Sequence, residues 1–299
     1  MKPTRRQFLS TASFASLGLA LGARSARAAT PRPLFLAMGV TAALERAAEV
    51  KAAGAGYLVE SVGRFLMPEK PEAEFAPMLA AAQAAPLPVV GCNGFLRDPK
   101  LRVTGPDADH PRVLDFAATA FRRLKQAGGE FIVFGSGGSR RIPEGFPKEK
   151  ADEQFVALLS AMGPLAAKDG VSVFVEQLQQ RECNYLTHLR EVAHVVAQAN
   201  HPNIRALADI YHMTNMGDTP ADLERALPWI ALMEIAEKEQ RTAPGVTGED
   251  FRPFFAVLAR GGYRGRITIE GRWNPEQLRN AFAEIARQAG EVPTGARPA

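Results

Sequence analysis

The chain is poor in the residues that several functional classes need. Two cysteines in 299 residues, Cys92 and Cys183, cannot build a disulfide scaffold. Histidine is scarce as well, with five in all. No glycine-rich dinucleotide fingerprint follows the first strand-like segment. The apolar stretch from Ala12 to Ala23 is too short, and too rich in Ser and Gly, to span a membrane. A surplus of positive charge is also missing from most of the chain. The formal charge of +4 arises from residues 1–28, which hold Lys2, Arg5, Arg6, Arg24 and Arg27 and no acid. Without them, 31 basic residues face 32 acidic ones, a net charge of −1. A body that near neutrality has no electrostatic case for binding nucleic acid.

The basic, apolar and small-residue order at the N-terminus reads as an export leader. Thr4-Arg5-Arg6-Gln7-Phe8-Leu9 gives a twin-arginine core, and Ala26-Arg27-Ala28 offers a small-x-small cleavage site. The expectation is a cleaved signal over residues 1–28 and a periplasmic mature protein without a membrane anchor. Because the twin-arginine route carries folded proteins, a metal can be loaded before export. About 271 residues remain, which suits one barrel of typical size (about 250 residues).

That remainder alternates strand and helix. Strands are expected at Leu34–Met38, Tyr57–Val62, Pro88–Cys92, Glu130–Gly135, Val171–Gln177, Ile204–Ile210, Ala231–Ala236 and Arg266–Gly271. Helices are expected at Ala43–Ala53, Glu72–Ala84, Pro111–Ala127, Lys150–Lys168, Tyr185–Ala199, Ala221–Ala226, Glu249–Arg260 and Pro275–Gln288. Gly54, Gly128 and Gly261 fit left-handed helix ends. Eight of each element predict an α/β fold, a single (β/α)8 TIM barrel over residues 29–299 with a loose tail from Glu291. The long loops Asn93–His110, Ser136–Pro147 and Glu237–Gly248 should wall one side of its mouth. Cys92 and Cys183 both fall near strand C-terminal ends; free thiols are expected over a bridge.

Four acids sit where apolar strands give out: Glu176, Asp209, Glu234 and Glu270, spaced by 33, 25 and 36 residues. Each gap holds one loop, one helix and one strand, so the barrel would aim all four into one mouth. Carboxylates converging this way repel one another unless they surround a cation or share protons. A single acid at a strand end is ordinarily a cap or a solvated loop residue; four in series point to metal binding. All-oxygen ligation favours Mn²⁺ or Mg²⁺, with Ca²⁺ behind them, over Zn²⁺.

Local spacing around these acids carries a resemblance. Glu176 is followed by Arg181-Glu182, Asp209 by Tyr211-His212, and Glu234 by Arg241 and Pro244-Gly245, while Gly262-Tyr263-Arg264-Gly265 leads to Glu270. The ordered set resembles the xylose isomerase-like barrels, notably the ketose 3-epimerases, best from Val171 to Trp273. The resemblance implies that Glu176 and Glu270 bind one divalent cation and act as the acid–base pair, that Asp209 is a ligand, and that His212, Glu182 and Arg241 contact substrate oxygens. It also implies a substrate-pocket role for Glu60, against which stands an equal expectation of a buried structural ion pair. His212 carries a competing structural reading. One departure stands out: the family places a histidine ligand where this chain has Glu234. Glu234 therefore reads equally as a fourth ligand and as an acid that stays protonated or stands off the metal.

His188, His194 and His201 read as surface residues, and Gly135-Ser136-Gly137-Gly138-Ser139-Arg140-Arg141 as either an anion-holding rim or a flexible lid. The functional expectation is a metal-dependent isomerase or epimerase of a sugar or keto-sugar. The alternative is a lyase that cleaves oxidised (3-keto) glycosides by β-elimination in the same site. A non-catalytic sugar-binding barrel is disfavoured by the paired acids Glu176 and Glu270. A repair endonuclease of similar fold needs more histidines and a basic groove. Homo-oligomerisation is left open.

Overall fold

Runs of Val, Ile and Phe only four to six residues long alternate here with helical segments that begin on Pro, Asn, Asp or Thr caps, the pattern that closes a parallel barrel. The computed structural model describes residues 33–293, and these form a single (β/α)8 TIM barrel. Its strands are β1 Met38–Thr41, β2 Tyr57–Ser61, β3 Val89–Asn93, β4 Phe131–Phe134, β5 Ser172–Glu176, β6 Ile204–Asp209, β7 Ile230–Ile235 and β8 Arg266–Ile269. Each pairs in parallel with the next, and Met38, Gly39 and Val40 of β1 close the ring against Ile267, Thr268 and Ile269 of β8. The helices are α1 Ala47–Ala53, α2 Glu72–Ala84, α3 His110–Gln126, α4 Gly137–Arg140, α5 Lys148–Lys168, α6 Leu189–Ala199, α7 Ile210–Met216, α8 Pro220–Ala226, α9 Arg252–Arg260 and α10 Pro275–Glu291. The short α4 and α7 sit on the β4 and β6 exits, and a π-helical turn, Val62–Leu66, follows β2.

The apolar residues form two packings. One lies between strands and helices and includes Val173, Val175, Phe134, Phe155 and Leu159. The other fills the barrel interior with Tyr57, Val59, Val90, Phe131, Val133, Leu207 and Leu232. Two strand glycines make room for the large interior rings. A Cβ on Gly39 would lie 2.3 Å from the Tyr57 ring, and one on Gly91 would lie 2.2 Å from the Phe131 ring. Each glycine is the direct register partner of the aromatic it admits. Phe131 then stacks on Phe174 at 4.9 Å, and the Tyr57 hydroxyl pairs with Thr268 Oγ1 at 2.8 Å.

Several expectations change. The first strand lies at Met38–Thr41 rather than Leu34–Met38, because the ladder begins only where Gly39 meets both Tyr57 and Thr268. Leu34 and Phe35 are buried ahead of it as a lead-in, while Leu36 is exposed. The fifth long helix starts at Leu189, not Tyr185. Leu186 has φ +54°, and Glu191 reaches back to accept from the Thr187 and His188 amides. His188 is half-buried at that helix start, with Nδ1 2.6 Å from Asp218 Oδ1, so it is not a simple surface residue. Gly261 has φ −77°; the left-handed residue is Gly262 at +70°. A Cβ on Gly261 would instead strike Leu227 Cδ2 at 1.9 Å, so close packing explains the glycine. Cys92 and Cys183 are buried free thiols. The expected leader at residues 1–28 and the end of the tail at 294–299 lie outside the described residues.

The interior glycines give the first prediction. Gly91→Ala should destabilise the barrel by roughly 1–3 kcal/mol, since Phe131 must leave its rotamer or the strands must part. Urea denaturation checks this, and an unchanged midpoint would show that the ring can move freely.

Candidate active site

Side chains alternate along a strand, so a residue two positions beyond an interior one faces the same axis. Phe174 leads in this way to Glu176, Leu207 to Asp209, Leu232 to Glu234 and Thr268 to Glu270. Asp209 and Glu234 are register partners on adjacent strands. Each of the four acids offers an oxygen, and these atoms all lie within 4.8 Å of one another. Glu176, Asp209 and Glu234 are buried, whereas the Glu270 side chain keeps 22% of its surface exposed at the mouth. Gly135 leaves a seat for Glu176, since a Cβ there would lie 2.2 Å from Glu176 Oε2.

Buried polar atoms are ordinarily hydrogen-bonded. Here Glu176 Oε1, His212 Nε2 and both oxygens of Glu234 have no partner among the described residues. Burial, with Glu270 and Asp209 adding repulsion, holds the Glu176 carboxyl well above the ordinary carboxylate range. Burial, then Glu270, Glu176 and Asp209, does the same to Glu234. Asp209 rises less, to about 6, because Arg241 and the Tyr211 amide oppose the cost of burial. A set of unpaired oxygens on a shared centre fits a hard divalent cation.

His212 also stands within reach of this set, but its hydrogen bonding points elsewhere. Its Nδ1 receives the Gln179 backbone amide at 3.3 Å, and an amide can only donate. Burial, reinforced by Arg241, lowers its pKa to about 4, so the ring is neutral with its proton on Nε2. That N–H faces Asp209 Oδ2 at 3.5 Å, Glu176 Oε1 at 3.6 Å and Glu182 Oε2 at 4.0 Å. A protonated nitrogen cannot ligate a metal. His212 is therefore arranged as a donor beside the four-carboxylate set.

Arg241 sets a positive charge directly against the acids. Its guanidinium meets Glu270 Oε2 in a short contact and Asp209 Oδ2 at 3.4 Å, and lies 4.7 Å over the Tyr211 ring. Asn93, for which the sequence carries no expected role, donates to Glu270 Oε1 at 2.8 Å. Its one signal was a polar residue closing β3 on the same rim. Glu182 accepts from Gln179 Nε2 at 2.7 Å and edges the same cavity. Glu60 borders the second cavity and is also held in an ion pair: Leu44 N, Ser61 N and Arg64 all donate to it at 2.6 Å. Within the Gly135–Arg141 segment, Gly137–Arg140 form α4, and Gly135 to Gly138 edge the cavity while the two arginines turn away from it. Arg140 turns inward, buried, to Phe134 O, and Arg141 binds the Glu182 carbonyl.

Two contiguous cavities open over the acids. One of about 340 Å³ is bounded by Gly135, Leu178, Glu182, His212 and Glu176. The other, about 370 Å³, extends toward Thr41, Ser61 and Arg64. Asn93, Arg97, Arg241 and Glu270 line both. Neither boundary is strongly apolar, so the space suits a polyhydroxylated molecule.

The xylose isomerase-like TIM barrel family matches residues 44–288, and the chain belongs to that family. A Mus musculus protein provisionally named hydroxypyruvate isomerase is 26% identical over 141 residues, 44% of this chain and 51% of that one. The chain thus spans about half the length of such relatives where it matches them. The 3-keto-D-glucoside 4-epimerase of E. coli superposes with a TM-score of 0.69 at 20% identity, covering 84% of this chain and 98% of its own. A D-psicose 3-epimerase crystallised with D-fructose gives 0.73 at 16% identity, covering 85% and 99%. At such identities the superpositions show the fold alone.

Glu234 provides a prediction whose sign inverts. Its folded pKa is raised, so below about 4.5 both states are protonated and no penalty exists; above it the unfolded chain ionises first and the fold loses stability. Metal-free Glu234→Gln should therefore be more stable than the natural protein at pH 8, by roughly 1–3 kcal/mol, with the gain vanishing near pH 4. In excess Mn²⁺ the order should reverse. Thermal melts across pH, with and without Mn²⁺, check both halves.

Proposed function

We propose that this family member is a divalent-cation-dependent isomerase or epimerase that moves a proton on a sugar or keto-sugar carbon next to a carbonyl. The observation that carries the reading is the pair Glu176, at the end of β5, and Glu270, just past β8, bordering one cavity above a common carboxylate centre. Glu176, Asp209 and Glu270, with Glu234 as the fourth oxygen donor, would hold Mn²⁺ or Mg²⁺. When bound, that cation stabilises negative charge developing on the oxygen beside the deprotonated carbon.

The chain's own groups supply the proton transfers. Glu270, fixed by Arg241 and Asn93 at the open side of the mouth, serves as base. Glu176, kept protonated by burial and its acidic neighbours, serves as acid on the other face. His212 donates its Nε2 proton to a substrate oxygen, and Glu182 accepts from a hydroxyl. Removal on one face and return on the other inverts the carbon; return to the neighbouring carbon isomerises it.

A second reading is favoured by the cavity beyond Arg97 and Arg241, which leaves room for a group attached to the sugar. An oxidised 3-keto glycoside could sit across both spaces, and proton loss beside its ketone could then expel the β-substituent. Both reactions start with the same proton abstraction.

Glu270→Gln should keep the fold and lose about 10²–10⁴-fold in turnover, the usual worth of a positioned proton transfer. In D₂O an epimerase places deuterium at the inverted carbon, and a lyase releases a separate sugar fragment. Product formed with every substrate C–H bond retained excludes both.

A further inference from the structure

The loop between β7 and α9 is tied around one carboxylate. Glu237 is fully buried at its start. Its Oε1 accepts from the amides of Gly245 at 2.8 Å, Gly248 at 2.9 Å and Glu249 at 3.2 Å. Its Oε2 accepts from the Thr247 amide at 2.6 Å and from the Thr242 and Thr247 hydroxyls, both at 2.9 Å. The Glu237 amide also donates to Thr242 O at 2.8 Å, which pinches residues 238–241 into a bulge. Within that bulge Gln240 and Arg241 both have φ +55°. Side chains with a Cβ avoid this region and stay there only where the surroundings over-determine them.

The far side of the bulge is pinned to the segment that follows β8. Arg272 N donates to Arg241 O at 2.7 Å, and Ala243 N donates to Arg272 O at 3.0 Å. Gly271 permits the approach, since a Cβ there would lie 2.6 Å from Arg241 O. The left-handed backbone turns Arg241 back over the mouth. From there its Nε meets Glu270 O at 3.1 Å, and its terminal nitrogen meets Asp209 and Glu270.

We propose that Glu237 is a positioning residue that acts through Arg241. The knot it ties fixes the guanidinium as a resident cation against two carboxylates of the centre, which lowers the centre's affinity for a divalent cation and aims Glu270. The aim of Glu270 matters only through the proton-transfer reading above, and that half rests on it. The effect on affinity needs a divalent cation alone and no turnover. Glu237 touches neither the four acids nor the cavity, so a merely structural role would alter melting without altering Mn²⁺ affinity.

The experiment is a double-mutant cycle on the full chain, read by calorimetric Mn²⁺ titration of chelator-treated protein. Arg241→Gln should tighten Mn²⁺ about 10-fold by removing a competing positive charge. Glu237→Gln turns an amide NH₂ toward at least one backbone amide that can only donate, so the loop should loosen and Mn²⁺ bind about 3–10-fold tighter. The double variant should match Arg241→Gln alone. Additive effects, or a Glu237→Gln protein with unchanged Mn²⁺ affinity, would overturn the proposal. If Glu237→Gln does not fold by circular dichroism, Thr247→Val removes one hydroxyl donor and should tighten Mn²⁺ about twofold, and no shift overturns the proposal equally. A non-additive cycle in a protein that turns over no sugar would retain this proposal and reject the reaction. Absence of Mn²⁺ binding in every variant rejects it together with the metal centre.

Discussion

Mutual repulsion among four converging carboxylates, three of them buried, governs this molecule. Oxygens within 4.8 Å of one another in surroundings of effective dielectric near 20 repel by roughly 3–4 kcal/mol for each ionised pair. Four acids make six such pairs, and their sum exceeds the roughly 5–15 kcal/mol by which a domain is stable. The cluster cannot remain fully ionised without positive charge or protons. Arg241 supplies one charge, against Asp209 and Glu270. Glu176 and Glu234, both driven upward by burial and by their neighbours, answer by keeping protons.

The contrast with other buried acids makes the centre stand out. Glu237 collects six donors, and Glu60 is held by two amides and Arg64. Glu234 has none for either oxygen. A protein that satisfies its structural acids this fully, while leaving one bare at the meeting point of three others, has arranged that acid for something besides folding. The barrel makes the arrangement rigid. Gly39 and Gly91 let Tyr57 and Phe131 plug the interior below, and strand alternation places the acids directly above that plug.

Much of this was legible in the sequence because it depends on period and order. Strand alternation and the spacing of Glu176, Asp209, Glu234 and Glu270 place these acids on one rim before any coordinate is known, and the barrel with seven of eight strands nearly in register follows from the same pattern. What could not be read depends on contacts between distant segments. β1 is displaced because Gly39, not the more apolar Leu34–Leu36, meets partners on both sides. Asn93 looks like an ordinary strand end until β3 and β8 bring it to Glu270. Gly135 gives no sign that its missing Cβ seats Glu176. Arg140 and Arg141, which read as part of an anion rim or a lid, turn to the Phe134 and Glu182 carbonyls once α4 forms, although Arg140 Nε and one of its terminal nitrogens keep no partner among the described residues.

A cation held by the bare acids would displace their protons. The most direct measurement is Mn²⁺ titration of chelator-treated protein in weakly buffered solution at pH 7, following bound metal and released protons together. One Mn²⁺ should bind per chain with at least one proton released, because Glu234, raised by burial and bare on both oxygens, must ionise to serve as a ligand. Binding with no proton release, or no stoichiometric binding at all, would contradict it.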